Sequence, residues 1–287
     1  FAKSVADQYN SFDFGDPTYT KVDLDISTNA QNQIVLTTKV AGAQHGSAPQ
    51  ENRAHGANPL VSLGVFLDHL AKTQVLGHNH FTDVAQFMTF GWGTQVFGEP
   101  HPDLLYRFDS VFTKDNGTTY ALSQVKPVSD GDHAGKAISL AMDIRYAIGH
   151  HSTGWDGSQG TIKGNSLFSP VFTQLVERFA TANPAAKISF TTATLAGPDI
   201  RNPSNAFMTK VNDAYKTAMG QNCPMQAIGG GTDAKGRIQL VAAGALFTDS
   251  LGPPINFHGI DEGAPIKDLV NGKEIMKALL LNAAKSK

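Results

Sequence analysis

The sequence predicts an α+β protein, and three observations carry that expectation. Several short segments alternate apolar and polar residues with period two, the mark of half-buried strands. Others space apolar residues at three and four behind helix-capping side chains. With 28 glycines and a charged fraction of only 17 % in 287 residues, the chain is turn-rich and its polar surface mostly neutral. Antiparallel strands with helices packed on one face make the two-layer α+β arrangement.

Taken in order, residues Ala2 to Tyr9 form a short helix. Thr18 to Ile26, with Val22, Leu24 and Ile26 on one face, is a strand, and Ile34 to Val40 is a second. Asn58-Pro59 sets a capping side chain before a first-turn proline. Leu60, Leu63, Leu67 and Leu70 then follow at helical spacing, predicting a helix to about Lys72. Phe81 to Phe90 is a shorter helix. Arg107–Lys114 and Thr118–Lys126 flank Asp115-Asn116-Gly117, a tight-turn signal for a hairpin. In Lys136–Tyr146, Ile138, Leu140, Met142 and Ile144 share one strand face; Asp143 and Arg145 lie on the other. A polar, glycine-rich loop at 149–164, a helix from Phe168 to Thr181 and a strand at Lys187–Thr194 complete this region. The prolines of 196–203 mark a boundary. Beyond it come a helix at Ser204–Met219, a glycine loop, an apolar strand at Leu240–Phe247 and a last helix from Ile266 to Ala284. One long strand is too little sheet for an independent core in this tail, so it reads as part of a larger domain.

Composition excludes several classes. Hydrophobic residues make up 41 % of the chain, enough for a sizeable core, which rules out disorder. Lys+Arg of 23 against Asp+Glu of 25 gives a net charge of −2. No basic stripe offers a nucleic-acid backbone a grip. The longest apolar stretches reach about ten residues, half a membrane span, so a soluble protein of undetermined compartment is expected. The single cysteine, Cys223, excludes an internal disulfide framework and a thiolate-rich metal site. The chain begins at Phe1 with neither an initiator Met nor a signal segment, so the expectation is a removed start or a part of something longer.

Four places could carry chemistry. His45, in Ala41–Pro49, is flanked by glycine and small residues that leave it open to a ligand; as a donor it could stabilise an oxyanion. The alternative is an ordinary loop histidine. Arg145 carries a planar fork suited to a carboxylate, or it pairs with its neighbour Asp143. Gly229, Gly230, Gly231 and Thr232 allow close backbone approach and present N–H groups to an anion, or they form a plain loop; their spacing matches no nucleotide-binding pattern. His258, beside Asp261 and Glu262, is a candidate metal ligand with a supporting carboxylate, although one histidine is no metal site. His101-Pro102-Asp103 and His150-His151 are read as surface features.

In this order the four resemble the co-catalytic zinc exopeptidase family that includes carboxypeptidase G, aminoacylase and carnosinase, most closely the PepV-type bacterial dipeptidases. The matching residues are His45-Gly46-Ser47-Ala48-Pro49 with Gly56-Ala57-Asn58, then Asp143-Ile144-Arg145-Tyr146, then Ile228–Thr232. His258, Asp261, Glu262, Pro265 and Leu269 complete the pattern. The likeness runs over nearly the whole chain. The Pro49–Gly56 stretch looks longer than usual, 149–164 looks inserted, and the first half of the family's pattern is missing, including its H-x-D metal motif and Glu-Glu pair. His101-Pro102-Asp103 cannot replace that motif, since it follows the His45 loop.

The resemblance implies a two-lobed α+β lid over residues 1–197 and a C-terminal remnant of an α/β catalytic domain over 198–287. It implies a metallo-dipeptidase whose two zinc ions polarise the peptide carbonyl and activate water, with a glutamate of the missing N-terminal catalytic half as general base. His258 would ligate one metal and His45 would reach the oxyanion. Arg145 with Gly229–Thr232 would hold the carboxylate of a dipeptide or N-acyl amino acid. The chain alone would hold an incomplete metal site or none, would be inactive, and would expose apolar surface over Ser204–Lys287 where that half docks. The alternatives are an N-acyl amino-acid deacylase and a stand-alone binding or dimerisation module without metal.

Overall fold

The computed structural model describes residues 1–39, 58–95, 97–107, 117–145, 147, 150, 160–161, 168–191, 197–225, 228, 230–243 and 263–285. Helices and small antiparallel sheets make the protein α+β, as its sequence predicts. Two compact units divide the chain. One takes in Phe1–Arg107, Thr118–Arg145 and Ser169–Thr192; the other takes in Phe108–Gly117, Tyr146–Phe168 and Ala193–Lys287.

In the first unit, helix α1 (Ala2–Ser11) packs on a hairpin of β1 (Asp23–Thr28) and β2 (Ile34–Lys39). The strand expected from Thr18 starts only at Asp23. Both the N–H and the hydroxyl of Thr18 donate to Asp16, and the Tyr19 hydroxyl meets that of Ser62, so this stretch is committed to side-chain contacts instead of a ladder. Asn29 closes the hairpin by accepting the N–H groups of Gln31 and Gln33 at 3.0 and 2.9 Å. Asn32 stands at φ +57°, a left-handed conformation that asparagine tolerates. Val5, Tyr9, Phe66 and Leu70 form a core against Leu24, Ile26 and Leu36 of the hairpin. The Tyr9 hydroxyl donates to the Val22 carbonyl, and burial pushes its pKa up to about 12.

Helix α2 (Pro59–Lys72) begins where the sequence places it: Asn58 Oδ1 accepts the Leu60 N–H at 2.9 Å and Pro59 takes the first turn. The other end of the same amide donates to the Leu122 carbonyl at 2.6 Å, so one buried side chain both starts a helix and anchors a strand. Helix α3 (His80–Gly91) starts from a reciprocal Asn79–Thr82 capping box. The two helices approach closely at Gly64, where a Cβ would stand 2.7 Å from Met88 Cε.

Strands β3 (Thr119–Pro127) and β4 (Ile138–Arg145) pair antiparallel. Arg107–Lys114, the first arm of the expected hairpin, lies outside the described residues apart from Arg107, whose carbonyl accepts the Thr118 N–H at 2.8 Å. One extra residue, Ser123, bulges from β3 between the Leu122–Met142 and Gln124–Ala141 pairs. The bulge shifts the side-chain parity of the strand. Tyr120 and Leu122 before it, and Val125 and Pro127 after it, therefore all oppose Ile144, Met142, Leu140 and Ile138.

Helix α4 (Phe168–Ala182) buries Phe172, Leu175, Val176 and Phe179. Phe172 lies 6.0 Å from Trp92 and 6.3 Å from Tyr120 between ring centroids, and Phe87 meets Trp92 and Phe179 edge-on. Trp92 Nε1–H donates to the Tyr120 carbonyl at 2.7 Å, which satisfies the one polar group of a buried indole. Over 187–191 the expected strand does not form. The Phe190 ring reaches Phe172 at 5.1 Å, so its apolar residue enters the core without a ladder.

The second unit contains β5 (Gly160–Thr161) paired with β6 (Asp199–Ile200), then α5 (Ala206–Met219) packed against α6 (Ile266–Lys285). Asn205 caps α5 by accepting the Met208 N–H at 2.8 Å, one position inside the expected start. Gly220 ends it at φ +73°, where a Cβ would be strained. The strand expected over Leu240–Phe247 is absent from its described residues, 240–243. Leu240 donates its N–H to Arg237 in a turn and gives its carbonyl to Arg201, which spends the groups a ladder would use. Among the described residues no helix is long and apolar enough to cross a membrane.

Candidate functional site

Arg145 ends β4 opposite Thr119, and Asp143 stands opposite Ala121 on the same face. The period of a strand puts residues two apart side by side, and Arg145 Nε–H donates to both Asp143 oxygens at 2.9 and 3.1 Å. Both side chains are about one-third exposed. The geometry realises the neighbour-pair alternative, and it fixes the orientation of the guanidinium at a partly open strand end.

Of the glycine loop, Gly230, Gly231 and Thr232 are described, and Gly231 and Thr232 are exposed. Thr232 opens a run of turns in which its carbonyl accepts the Lys235 N–H and that of Ala234 accepts the Arg237 N–H. One side chain that no motif singles out, Arg201, holds this run in place. Arg201 donates Nε–H to the Leu240 carbonyl at 2.8 Å and Nη1–H to that of Ile200 at 3.0 Å. Its Nη2 donates to Ala234 and Arg237 at 3.1 and 2.7 Å, and Nη1 also meets Asp199 Oδ2 at 3.0 Å. A guanidinium has five N–H donors, and five acceptors surround this one. Such a saturated arginine is a clamp on the backbone downstream of the glycines.

His45, Gly229 and His258 lie outside the described residues, as do Asp261 and Glu262. Arg145 belongs to the first unit and the Gly230–Thr232 loop to the second.

The remaining histidines divide. His101 Nε2 sits 2.8 Å from the Phe90 carbonyl, and its ring packs against that of Phe90 at a tilt of 53°. Asp103 forms a two-pronged pair with Arg178, 3.1 Å on one arm. That hydrogen bond holds the Asp103 carboxyl below its usual range. His101-Pro102-Asp103 is thus engaged in holding the fold. His150, expected at the surface, is fully buried: its N–H turns back onto the Ala147 carbonyl, itself buried, at 2.9 Å. His151 lies outside the described residues.

His78 and His80, not singled out by the sequence, both reach Asp83, Nε2 to Oδ1 at 2.9 Å and Nδ1 to Oδ2 at 3.3 Å. These are hydrogen-bond lengths from each ring to the carboxylate. Among the described residues no group of three His, Cys, Asp or Glu side chains is arranged to hold a metal. Burial pushes the pKa of the half-buried Cys223 thiol up.

No family model matches the chain, and no curated protein matches it.

Proposed function

We propose that this chain is the lid and the C-terminal catalytic portion, residues 1–197 and 198–287, of a zinc-dependent dipeptidase of the co-catalytic exopeptidase type. The observation that supports this reading is the order of four motifs along one chain: the His45 loop, the Arg145 strand, Ile228–Thr232 and the His258 ending. Any one of them alone fits a structural role.

In this reading the chain's contribution is recognition of charge. Arg145, oriented by Asp143, is the residue assigned to the C-terminal carboxylate of a dipeptide, and by motif order Gly229–Thr232 is the second element assigned to it. A mid-chain peptide offers no charge there, which accounts for exopeptidase selectivity. His45 donates to the developing oxyanion. In this reading the metal would be held by His258 together with residues of the catalytic half that the family pattern places ahead of the His45 loop. The clamp at Arg201 keeps the turns after Thr232 from drifting.

The test uses the protein expressed from its complete reading frame. Loss of a charge-assisted contact in a desolvated site costs roughly 2–5 kcal/mol. Arg145→Ala should therefore lower kcat/KM for a free-carboxylate dipeptide by about 30-fold or more. Unchanged kinetics would remove Arg145 from the site. The purified 287-residue chain should neither cleave dipeptides nor bind two ions when given zinc, cobalt or manganese; two tightly bound ions with turnover would contradict this reading. The same carboxylate grip would serve an N-acyl amino-acid deacylase. A second reading, a binding or dimerisation module without metal, is favoured by one observation: the exposed apolar face of α6.

A further inference from the structure

Between Gly231 and Leu240 the chain buries almost nothing. Only Ala234 is half-buried; every other residue is exposed, Ile238 and Leu240 at 51 and 43 % included. Apolar packing therefore does not fix this run. Its internal bonds are three successive turns, from the Lys235 N–H to the Thr232 carbonyl, from Arg237 to Ala234 and from Leu240 to Arg237. Arg201 joins these turns to the body of the unit. It donates to the carbonyls of Ala234, Arg237 and Leu240, spaced three residues apart, at 3.1, 2.7 and 2.8 Å. Its own backbone continues directly from β6, which is paired with β5. Asp199 of β6 meets the same guanidinium at 3.0 Å and balances its charge, and the arginine side chain is only 9 % exposed.

We propose that Arg201 is the positioning residue of the carboxylate site: by fixing the turns after Thr232 it keeps the backbone N–H groups of Gly230, Gly231 and Thr232 ready for a substrate carboxylate. The proposal rests on the dipeptidase reading and adds to it a division of labour between two arginines. The Arg201 guanidinium spends its five N–H donors on Asp199, Ile200, Ala234, Arg237 and Leu240, so it has none to offer a substrate. Arg145, 27 % exposed at its strand end, is the arginine that meets the ligand. Glycines lose more freedom on ordering than any other residue. An unheld glycine loop would have to be ordered by the substrate at every binding event, which weakens affinity and leaves the chemical step alone. The link from Arg201 to the loop is short. The Ala234 and Arg237 carbonyls each accept one bond from the guanidinium and one from a turn N–H, and the Lys235 bond carries the constraint back to Thr232. A lysine, with its donors on a single nitrogen, cannot span these carbonyls.

The test compares the protein from its complete reading frame with its Arg201→Ala and Arg201→Lys variants, on one dipeptide as free acid and as C-terminal amide. Hydrogen exchange is followed in parallel at the amides of Lys235, Arg237 and Leu240. Exchange should quicken at all three. In Arg201→Ala the KM for the acid should rise by about 10-fold or more, and in Arg201→Lys by less, with kcat unchanged in both. The amide brings no charge to the loop, so its kcat/KM should stay where it is; a merely structural role would lower acid and amide together. Guanidinium ion added to Arg201→Ala should bring the KM for the acid back down. Acid and amide falling together, a fall in kcat at constant KM, unchanged kinetics, or loss of the helical circular dichroism signal in Arg201→Lys would each overturn the proposal and leave the dipeptidase reading in place. No hydrolysis by the unsubstituted protein would instead remove that reading, and the proposal with it.

Discussion

Helices α4 and α6 carry apolar residues at the same three-and-four spacing, yet they use them differently. On α4, Phe172, Leu175, Val176 and Phe179 are all buried, Phe172 against Trp92 and Tyr120 and Phe179 against Phe87. On α6, Ile266, Leu269, Met276 and Leu280 stay at least half exposed while Asp268 is buried. The spacing dictates that each segment is a helix, because it collects one kind of side chain on one face. What that face meets is decided elsewhere in the chain. The α4 stripe has aromatic partners on α3 and β3; among the described residues the α6 stripe stays exposed.

Truncation should separate the two helices most clearly. Phe172→Ala should cost about 3–5 kcal/mol, the range for removing a buried ring and leaving a cavity. Leu280→Ala, measured in dilute solution, should stay within about 0.5 kcal/mol. Chemical denaturation of the two variants decides the matter; similar losses would abolish the distinction between the helices.

A smaller effect lies at Asn58, where one amide starts α2 and holds β3. Replacing it by Ala removes a cap worth about 1 kcal/mol. It also strands the buried Leu122 carbonyl, at a further ~1–3 kcal/mol. Hydrogen exchange should quicken both at the first turn of α2 and along β3. Quickening at α2 alone would mean that the Leu122 bond contributes nothing.

The smallest effect is a pH dependence. Arg178 holds the Asp103 carboxyl below its ordinary value through a hydrogen bond. The pair's contribution is therefore present above the unfolded pKa near ~3.9, and it is lost as pH falls through the depressed folded value. Both groups are open to solvent, so the change in stability is slight. In an NMR titration of the Asp103 carboxyl, Arg178→Met should move the midpoint upward; an unmoved midpoint would assign the shift to another cause.

Much of this was legible in the sequence where a side chain acts on its own neighbourhood. Asn58-Pro59 announces the start of α2 because capping is local chemistry. The bulge at Ser123 leaves a trace too, since Leu122 and Val125 stand three apart in a strand whose period is two. Thr18–Val22 alternates like a strand but is drawn off by Asp16 and by Ser62, 43 residues away from Tyr19, a distance that periodicity does not see. Arg201 left no signal, because four of its five acceptors are backbone carbonyls, which every residue possesses. Of the candidate site, Asp143 beside Arg145 was readable from their two-residue separation. His45 and His258 lie outside the described residues, and their roles rest on motif order.

If Arg145 recognises a free carboxylate, removing that charge from the substrate should abolish its contribution. The protein from its complete reading frame, supplied with zinc, would be given one dipeptide as its free acid and as its C-terminal amide. The expected result is metal-dependent hydrolysis of the acid, with kcat/KM for the amide lower by about 30-fold or more. Equal hydrolysis of both, or hydrolysis of neither, would contradict it.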